Sequence, residues 1–248
     1  MIPKIVHYCW LSGDKLPASF QKNLDNWKRL MPDYEFVLWD MKRFESLNSN
    51  CSSWVHKCFE LKRYAWAADP IRLIALYQYG GIYMDLDVEM VKPFDELLES
   101  DYILGYEYTG NIEAGIMATA PNLKWLKDCI SYYDNRNPVK EDGSFDGYPL
   151  PNIISDTLFG KGYIYHKRES DEPICNSNDI KELFLFPMDY LSAKDGFWNK
   201  IKKSSNTYTI HHFAASSTPL KGHIRRWIFQ FLGERVVNFL IRVKRQIF

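Results

Sequence analysis

The sequence lacks any Cys-x-x-Cys pair. Its five cysteines, Cys9, Cys51, Cys58, Cys129 and Cys175, are odd in number and widely spaced. That pattern argues against a structural zinc site and predicts reduced thiols, as in a cytosolic protein. No run of about 18 apolar residues occurs, so no membrane-spanning helix is expected. Strand-like sequence begins at Lys4, so no secretory signal peptide is expected either. Neither charge is in excess: 31 Lys and Arg face 31 Asp and Glu, and nothing in that balance points to nucleic acid. Internal repeats, low-complexity tracts and linkers are also missing, which favours one main domain.

What is present is aromatic. Phe, Trp and Tyr make up 16% of the chain, enough for a large core or for a site that stacks flat rings. "KIVHYCW" (4–10) and "YEFVLWD" (34–40) read as buried strands. Between them Phe20, Leu24, Trp27 and Met31 recur at helical spacing. Strand, helix, strand predicts an α/β domain with a parallel sheet. Residues 53–79 read as helix broken near Asp69-Pro70, with Asp69 as N-cap and Pro70 in the first helical position. Gly80-Gly81 ends that helix, and "IYMDLDV" is the next strand. Further on, "YILGYEY" and "IEAGIMATA" read as strands and "NLKWLKDCISYYDN" as helix. Residues 135–150 read as a loop, "PNIISDTLF" as the start of a helix, and "LFLFPMDYL" and "TYTIHHF" as late strands.

The stretch "QYGGIYMDLDVE" (78–89) sets two carboxylates one residue apart. Within a strand, Asp85 and Asp87 would share one face while Leu86 points into packing. Like charges that close repel, and a hard divalent cation such as Mn²⁺ or Mg²⁺ would relieve the repulsion. Two surface acids at a solvated strand end are the plain alternative. Upstream, Asp69 and Arg72 share a helix face. They read either as a cap with a surface ion pair, or as a hydroxyl acceptor beside a phosphate-holding guanidinium.

Together, "AADPIRLIALYQYGGIYMDLDVEMVKP" (67–93) carries Ala-x-Asp-x-x-Arg, a helix and Gly-Gly-x-Tyr-x-Asp-x-Asp. This resembles the signature of glycosyltransferase family 32, which includes capsular-polysaccharide transferases and the yeast initiating mannosyltransferase and is related to the clostridial glucosylating toxins. "IPKIVHYCWLSG" (2–13) and "TYTIHHFAAS" (207–216) are similar to the family as well. The resemblance covers roughly residues 2–220 and is densest over 65–93.

The resemblance implies the GT-A fold, a Rossmann-like α/β domain over residues 1–220. It also implies sugar transfer from a nucleotide donor, a UDP- or GDP-sugar, with retention at the anomeric carbon and with Mn²⁺ or Mg²⁺ as cofactor. The implied metal ligands are Asp87, Asp85 and His211, the last favoured over His212. Trp10 would stack on the nucleobase, although a core role is equally open to it. The implied donor site comprises Trp10, Asp69, Arg72, Tyr83, Asp85 and Ser216, with Tyr83 supporting it by packing. Asp85, Asp87 and Arg72 form the implied catalytic set. The family commonly has Ser-Trp after its late histidine; here Ser216-Ser217 stands instead, which bears on closure of that loop. A front-face displacement is preferred, in which the departing phosphate takes the acceptor's proton. A covalent route through Glu107, Glu113 or Asp156 stays open.

Residues 221–248 carry seven Lys and Arg against one acid, Glu234, interleaved with apolar residues at roughly helical spacing. Two readings stand: an amphipathic helix on an anionic membrane, or a helix docked on the domain. The sequence thus leads to a transferase for bacterial capsule or surface polysaccharide, using a glycan or lipid-linked glycan acceptor. It would be cytoplasmic, with peripheral contact at the inner face of the membrane through 221–248. The alternative is a catalytically weakened sugar-nucleotide or glycan-binding protein, for which the Ser217 departure is the ground.

Overall fold

The structure, a computed structural model, describes residues 1–47, 49–175, 178 and 181–214. Ser216, Ser217 and the basic segment 221–248 lie outside the described residues. Among the described residues no helix is long and apolar enough to cross a membrane.

Strand β1 (Ile5–Cys9) leads through helix α1 (Ala18–Leu30) to β2 (Glu35–Trp39), which pairs parallel to β1 with Val6 opposite Phe36. Helices α2 (Met41–Glu45), α3 (Ser52–Glu60) and α4 (Tyr64–Tyr79) then lead to β3 (Gly81–Met84), parallel to the other side of β1. Next come β4 (Val88–Met90), β5 (Tyr102–Ile103) and β6 (Ile116–Thr119), followed by α5 (Lys124–Ile130) and α6 (Leu150–Gly160). Strands β7 (Ile164–Lys167) and β8 (Glu182–Leu185) form a parallel pair. Helix α7 (Met188–Leu191) and the short β9 (Lys194–Asp195) and β10 (Lys200–Ile201) precede β11 (Thr209–His211), which pairs antiparallel with β4.

The central sheet has the order β2-β1-β3-β6-β5. Its first three strands are parallel, as expected, but β6 runs antiparallel to both β3 and β5. Parallel neighbours need a long crossover, usually helical. The helices α1 to α4 supply it for β1, β2 and β3, whereas residues 85–115 contain no α-helix. The result is a mixed α/β sheet.

Alternating side chains split the core into two layers. Val6, Tyr8, Ile82, Met84, Ile116 and Ala118 pack with Leu24 and Trp27 of α1. Val37, Trp39, Tyr83 and Met117 pack with α3, α4, α5 and α6 on the opposite face.

Helix α4 departs from the sequence reading. Asp69 and Pro70 lie inside it, and the break between helices falls at Leu61–Arg63 instead. A proline at position 70 removes the N–H that would bond the carbonyl of Trp66. That carbonyl accepts the indole N–H of Trp54 at 2.9 Å. The lost helical bond is replaced from the neighbouring helix, so α4 runs through.

At its end, Gly80 and Gly81 both take left-handed backbone, with φ of 65° and 95°. A Cβ on Gly81 would sit 2.5 Å from the Ile5 carbonyl oxygen, so only glycine lets β3 close on β1 here.

Candidate active site

From β1 the chain goes to one side for β2 and to the other for β3. That reversal leaves a crevice at the carboxyl ends of β1 and β3, where ligands bind in open α/β sheets. A cavity of about 540 Å³ lies there, bounded by Trp10, Arg72, Tyr83, Asp85, Asp87 and His211 among others.

The two aspartates are not both on a strand. β3 ends at Met84, and Asp85 to Asp87 form a turn closed by the Val88 N–H donating to the Asp85 carbonyl at 3.0 Å. The pleat therefore does not set their common direction. Leu86 does point inward and is buried. Helix α1 holds the segment that follows: Asn23 Nδ2, Trp27 Nε1 and Asn26 Nδ2 donate to the carbonyls of Leu86, Val88 and Met90 at 2.9, 2.9 and 2.8 Å.

β11 brings the late histidines alongside. His211 pairs with Val88 across the β4–β11 ladder and is buried. Its Nε2 lies 3.3 Å from Asp87 Oδ1. His212 turns the other way and meets Glu89 at 2.9 Å. One ligand atom from each of Asp85, Asp87 and His211 falls within 4.8 Å of the others. Two carboxylate oxygens and one imidazole nitrogen suit a hard divalent cation such as Mn²⁺ or Mg²⁺. The Asp87 carboxylate also accepts the Ala214 N–H at 2.7 Å. Burial works against its charge, but His211 and this N–H outweigh it and hold its pKa at about 2. Burial likewise disfavours a charged His211, yet Glu113 and Asp87 keep its pKa well above the ordinary histidine value.

Arg72 joins the two parts of the signature. One guanidinium nitrogen lies 3.2 Å from Asp69 Oδ1, the other 3.3 Å from Asp85 Oδ2. The second also donates to the Ala114 carbonyl at 2.8 Å, and the guanidinium lies over the Tyr83 ring. Tyr83 donates its hydroxyl to Asp85 Oδ1 at 2.8 Å. Burial raises Asp69 to about 7 against the pull of Arg72. Asp85 is raised too, chiefly by burial; Arg72 opposes this and Asp87 adds to it. Arg72 thus braces both aspartates from inside the cavity wall.

Trp10 is half-buried and borders the same cavity. Its indole N–H donates to the Asp14 carbonyl at 2.6 Å and its ring meets Phe20 edge-on, which fixes its orientation. Of the carboxylates read as nucleophile candidates, none borders the cavity among the described residues. Asp156 is exposed and accepts the Tyr148 hydroxyl. Glu107 accepts the Thr109 hydroxyl, and burial raises its pKa to about 7. Glu113 is buried and accepts from His211 Nδ1 at 3.0 Å and from the Gly115 N–H at 2.7 Å.

Two elements were not read from sequence. One is the backbone N–H of Ala214 on Asp87. The other is the run Glu113-Ala114-Gly115, which meets His211, Arg72 and Asp85 in turn. The glycine inside an apolar strand-like stretch was the available signal, because such a residue marks a close approach.

The cavity thus lies at the switch point of an α/β sheet, with two aspartates and a histidine on its wall. Residues 17–104 match the family model described as "Glycosyltransferase sugar-binding region containing DXD motif". Over that span the chain is similar to this DXD-containing glycosyltransferase family. Inositol phosphoceramide mannosyltransferase 1 of Schizosaccharomyces pombe is 33% identical over 101 residues, covering 39% of this chain and 31% of that protein. Inositol phosphoceramide mannosyltransferase 2 of the same yeast is 32% identical over 208 residues, covering 83% of this chain and 58% of that protein. The chain thus matches less than a third of the first relative's length. A solved structure described as "PaToxG Glycosyltransferase" is 17% identical with a TM-score of 0.48, covering 65% of this chain and 70% of that one.

Proposed function

We propose that the protein is a divalent-cation-dependent, retaining glycosyltransferase that moves a sugar from a nucleotide donor to a glycan or lipid-linked glycan acceptor. The observation that carries this is the meeting of Asp85, Asp87 and His211 on the wall of the cavity that also holds Arg72. Asp85, Asp87 and His211 would hold Mn²⁺ or Mg²⁺, which when bound neutralises charge on a diphosphate leaving group. Trp10 offers its face to the nucleobase in the same cavity. Asp69, fixed by Arg72, accepts hydrogen bonds from the donor sugar's hydroxyls. Arg72 also contributes fixed positive charge beside the bond that breaks.

The positions of Glu107, Glu113 and Asp156 favour a front-face displacement over a covalent enzyme intermediate. In it the departing phosphate oxygen takes the proton of the attacking acceptor hydroxyl, both held on one face of the sugar.

The fission-yeast relatives' names pair mannose with inositol phosphoceramide. Carried to this chain, they favour mannose as the sugar and a lipid-linked acceptor. Segment 221–248, basic and apolar by sequence, fits a peripheral role at an anionic membrane. A capsular or other surface polysaccharide is the second acceptor class.

The test is hydrolysis and transfer with a panel of UDP- and GDP-sugars, with and without Mn²⁺. Cation-dependent turnover by the unaltered chain and its loss in Asp87→Ala are expected. Full turnover in Asp87→Ala would overturn the assignment. Nucleotide-sugar binding with no turnover would leave a binding protein in its place.

A further inference from the structure

Three consecutive residues at the entry to β6 each hold a different residue of the site. The Glu113 carboxylate accepts from His211 Nδ1, the Ala114 carbonyl accepts from Arg72, and the Gly115 carbonyl accepts the Asp85 N–H at 2.8 Å. These partners come from β11, α4 and the end of β3, and His211 on β11 is 98 residues from Glu113.

The His211 ring is held on every side that matters. Gly115 lies beneath it, so close that a Cβ there would stand 2.6 Å from Cε1 and 2.9 Å from Nδ1. Phe213 stacks against the ring at 4.0 Å between centroids and 29° between planes. Phe213 reaches that place with left-handed backbone, φ 49°, which is uncommon for a residue with a side chain. Glu113, itself 1% exposed, holds the ring edge at Nδ1. An ionised carboxylate only accepts. Nδ1 therefore carries a hydrogen, and Nε2, which faces Asp87 at 3.3 Å, is the ring nitrogen left for a cation to take.

We propose that Glu113 is a positioning residue for the cation site, fixing His211 so that Nε2 is presented as a ligand beside Asp85 and Asp87. The inference rests on the cation reading of that site. A buried carboxylate is costly unless it is paired. Glu113 is paired through one oxygen, Oε1, which takes both the His211 imidazole and the Gly115 N–H that keeps it in line.

The test uses the full chain and Mn²⁺ alone. Affinity is read by electron paramagnetic resonance of free Mn²⁺, and ligation by the nitrogen hyperfine coupling of bound Mn²⁺. The unaltered chain is expected to bind Mn²⁺ with a nitrogen coupling that His211→Ala abolishes. Glu113→Gln, which keeps shape and removes charge, is expected to weaken Mn²⁺ binding about 10- to 100-fold and to diminish the coupling. Its metal-free melting is followed alongside. A Glu113→Gln chain that melts lower yet binds Mn²⁺ with unchanged affinity and coupling would reduce Glu113 to a structural ion pair and overturn the proposal. Should Glu113→Gln fail to fold, Glu113→Asp takes its place: it keeps the charge, draws it back by one methylene, and is judged by the same two readouts. Lack of Mn²⁺ binding by the unaltered chain would strike the cation reading itself and Glu113 with it. Loss of binding in Asp87→Ala beside full binding in Glu113→Gln would strike the positioning role alone.

Discussion

The indole N–H of Trp54 donates to the carbonyl of Trp66, the acceptor that Pro70 leaves without its helical donor. This single cross-helix bond lets α4 carry Asp69 and Arg72 past a residue that ordinarily ends a helix. Trp54→Phe keeps most of the buried ring and removes the donor. It is expected to cost about 1–3 kcal/mol, the usual penalty for a buried carbonyl left without its partner. Chemical denaturation followed by circular dichroism measures it. A variant as stable as the unaltered chain would mean that α4 satisfies Trp66 in another way.

Arg72 reaches Asp69 and Asp85 with different guanidinium nitrogens. A lysine ammonium is a point charge and cannot span both in the same fork. Arg72→Lys is therefore expected to keep the net charge and still lose activity, by about 10²-fold or more in kcat if the guanidinium also stabilises the leaving group. The split between kcat and KM separates that role from simple donor binding. A variant changed only in KM would confine Arg72 to the ground state.

Trp10 is half-buried, held in place by Asp14 and Phe20, and borders the cavity. Stacking of a base on an aromatic ring contributes about 1–3 kcal/mol, so Trp10→Ala is expected to weaken nucleoside-diphosphate binding by roughly 5- to 150-fold. Calorimetric titration reads this directly. Equal affinity in the variant would make Trp10 a packing residue.

His7 gives a pH dependence of stability. Trp39 Nε1–H donates to its Nδ1 at 3.1 Å, and its Nε2–H donates to the Gly80 carbonyl at 2.9 Å. Burial lowers its pKa from 6.5 to about 4, with the Gly80 bond opposing. The unfolded chain therefore binds a proton at pH values where the folded chain does not. The contribution is fully present above pH 6.5 and is lost as pH falls toward 4, up to about 3 kcal/mol. Asp69 and Glu107, both raised to about 7, work in the opposite sense over the same window. Denaturation at pH 7 and pH 4.5 is therefore compared between the unaltered chain and His7→Gln. The unaltered chain should lose more stability than the variant on acidification; equal losses would refute the assignment.

Much of the framework was legible because it rests on local pattern. The first two strands and α1 follow from apolar spacing, and Gly80-Gly81 marks a backbone that only glycine adopts. The Asp69-Pro70 reading failed because Trp54, 16 residues before the proline, supplies a donor that local rules cannot foresee. The strand reading of Asp85 and Asp87 failed because the turn that closes on Asp85 depends on α1 holding Leu86 and Val88. Glu113 was noted only as an acid in the right region. Its partner His211 is 98 residues away, and only the β4–β11 ladder brings the two together.

That ladder also completes the corner. Asp85 and Asp87 are in the chain long before His211, and His211 arrives only when β11 pairs with β4. The corner formed by Asp85, Asp87 and His211 thus depends on a long-range pairing, and closing so long a loop costs entropy. A bound cation would tie β11 to the turn after β3 and act as a latch on completed folding. A chain cut short before Thr209 would retain both aspartates and have no latch.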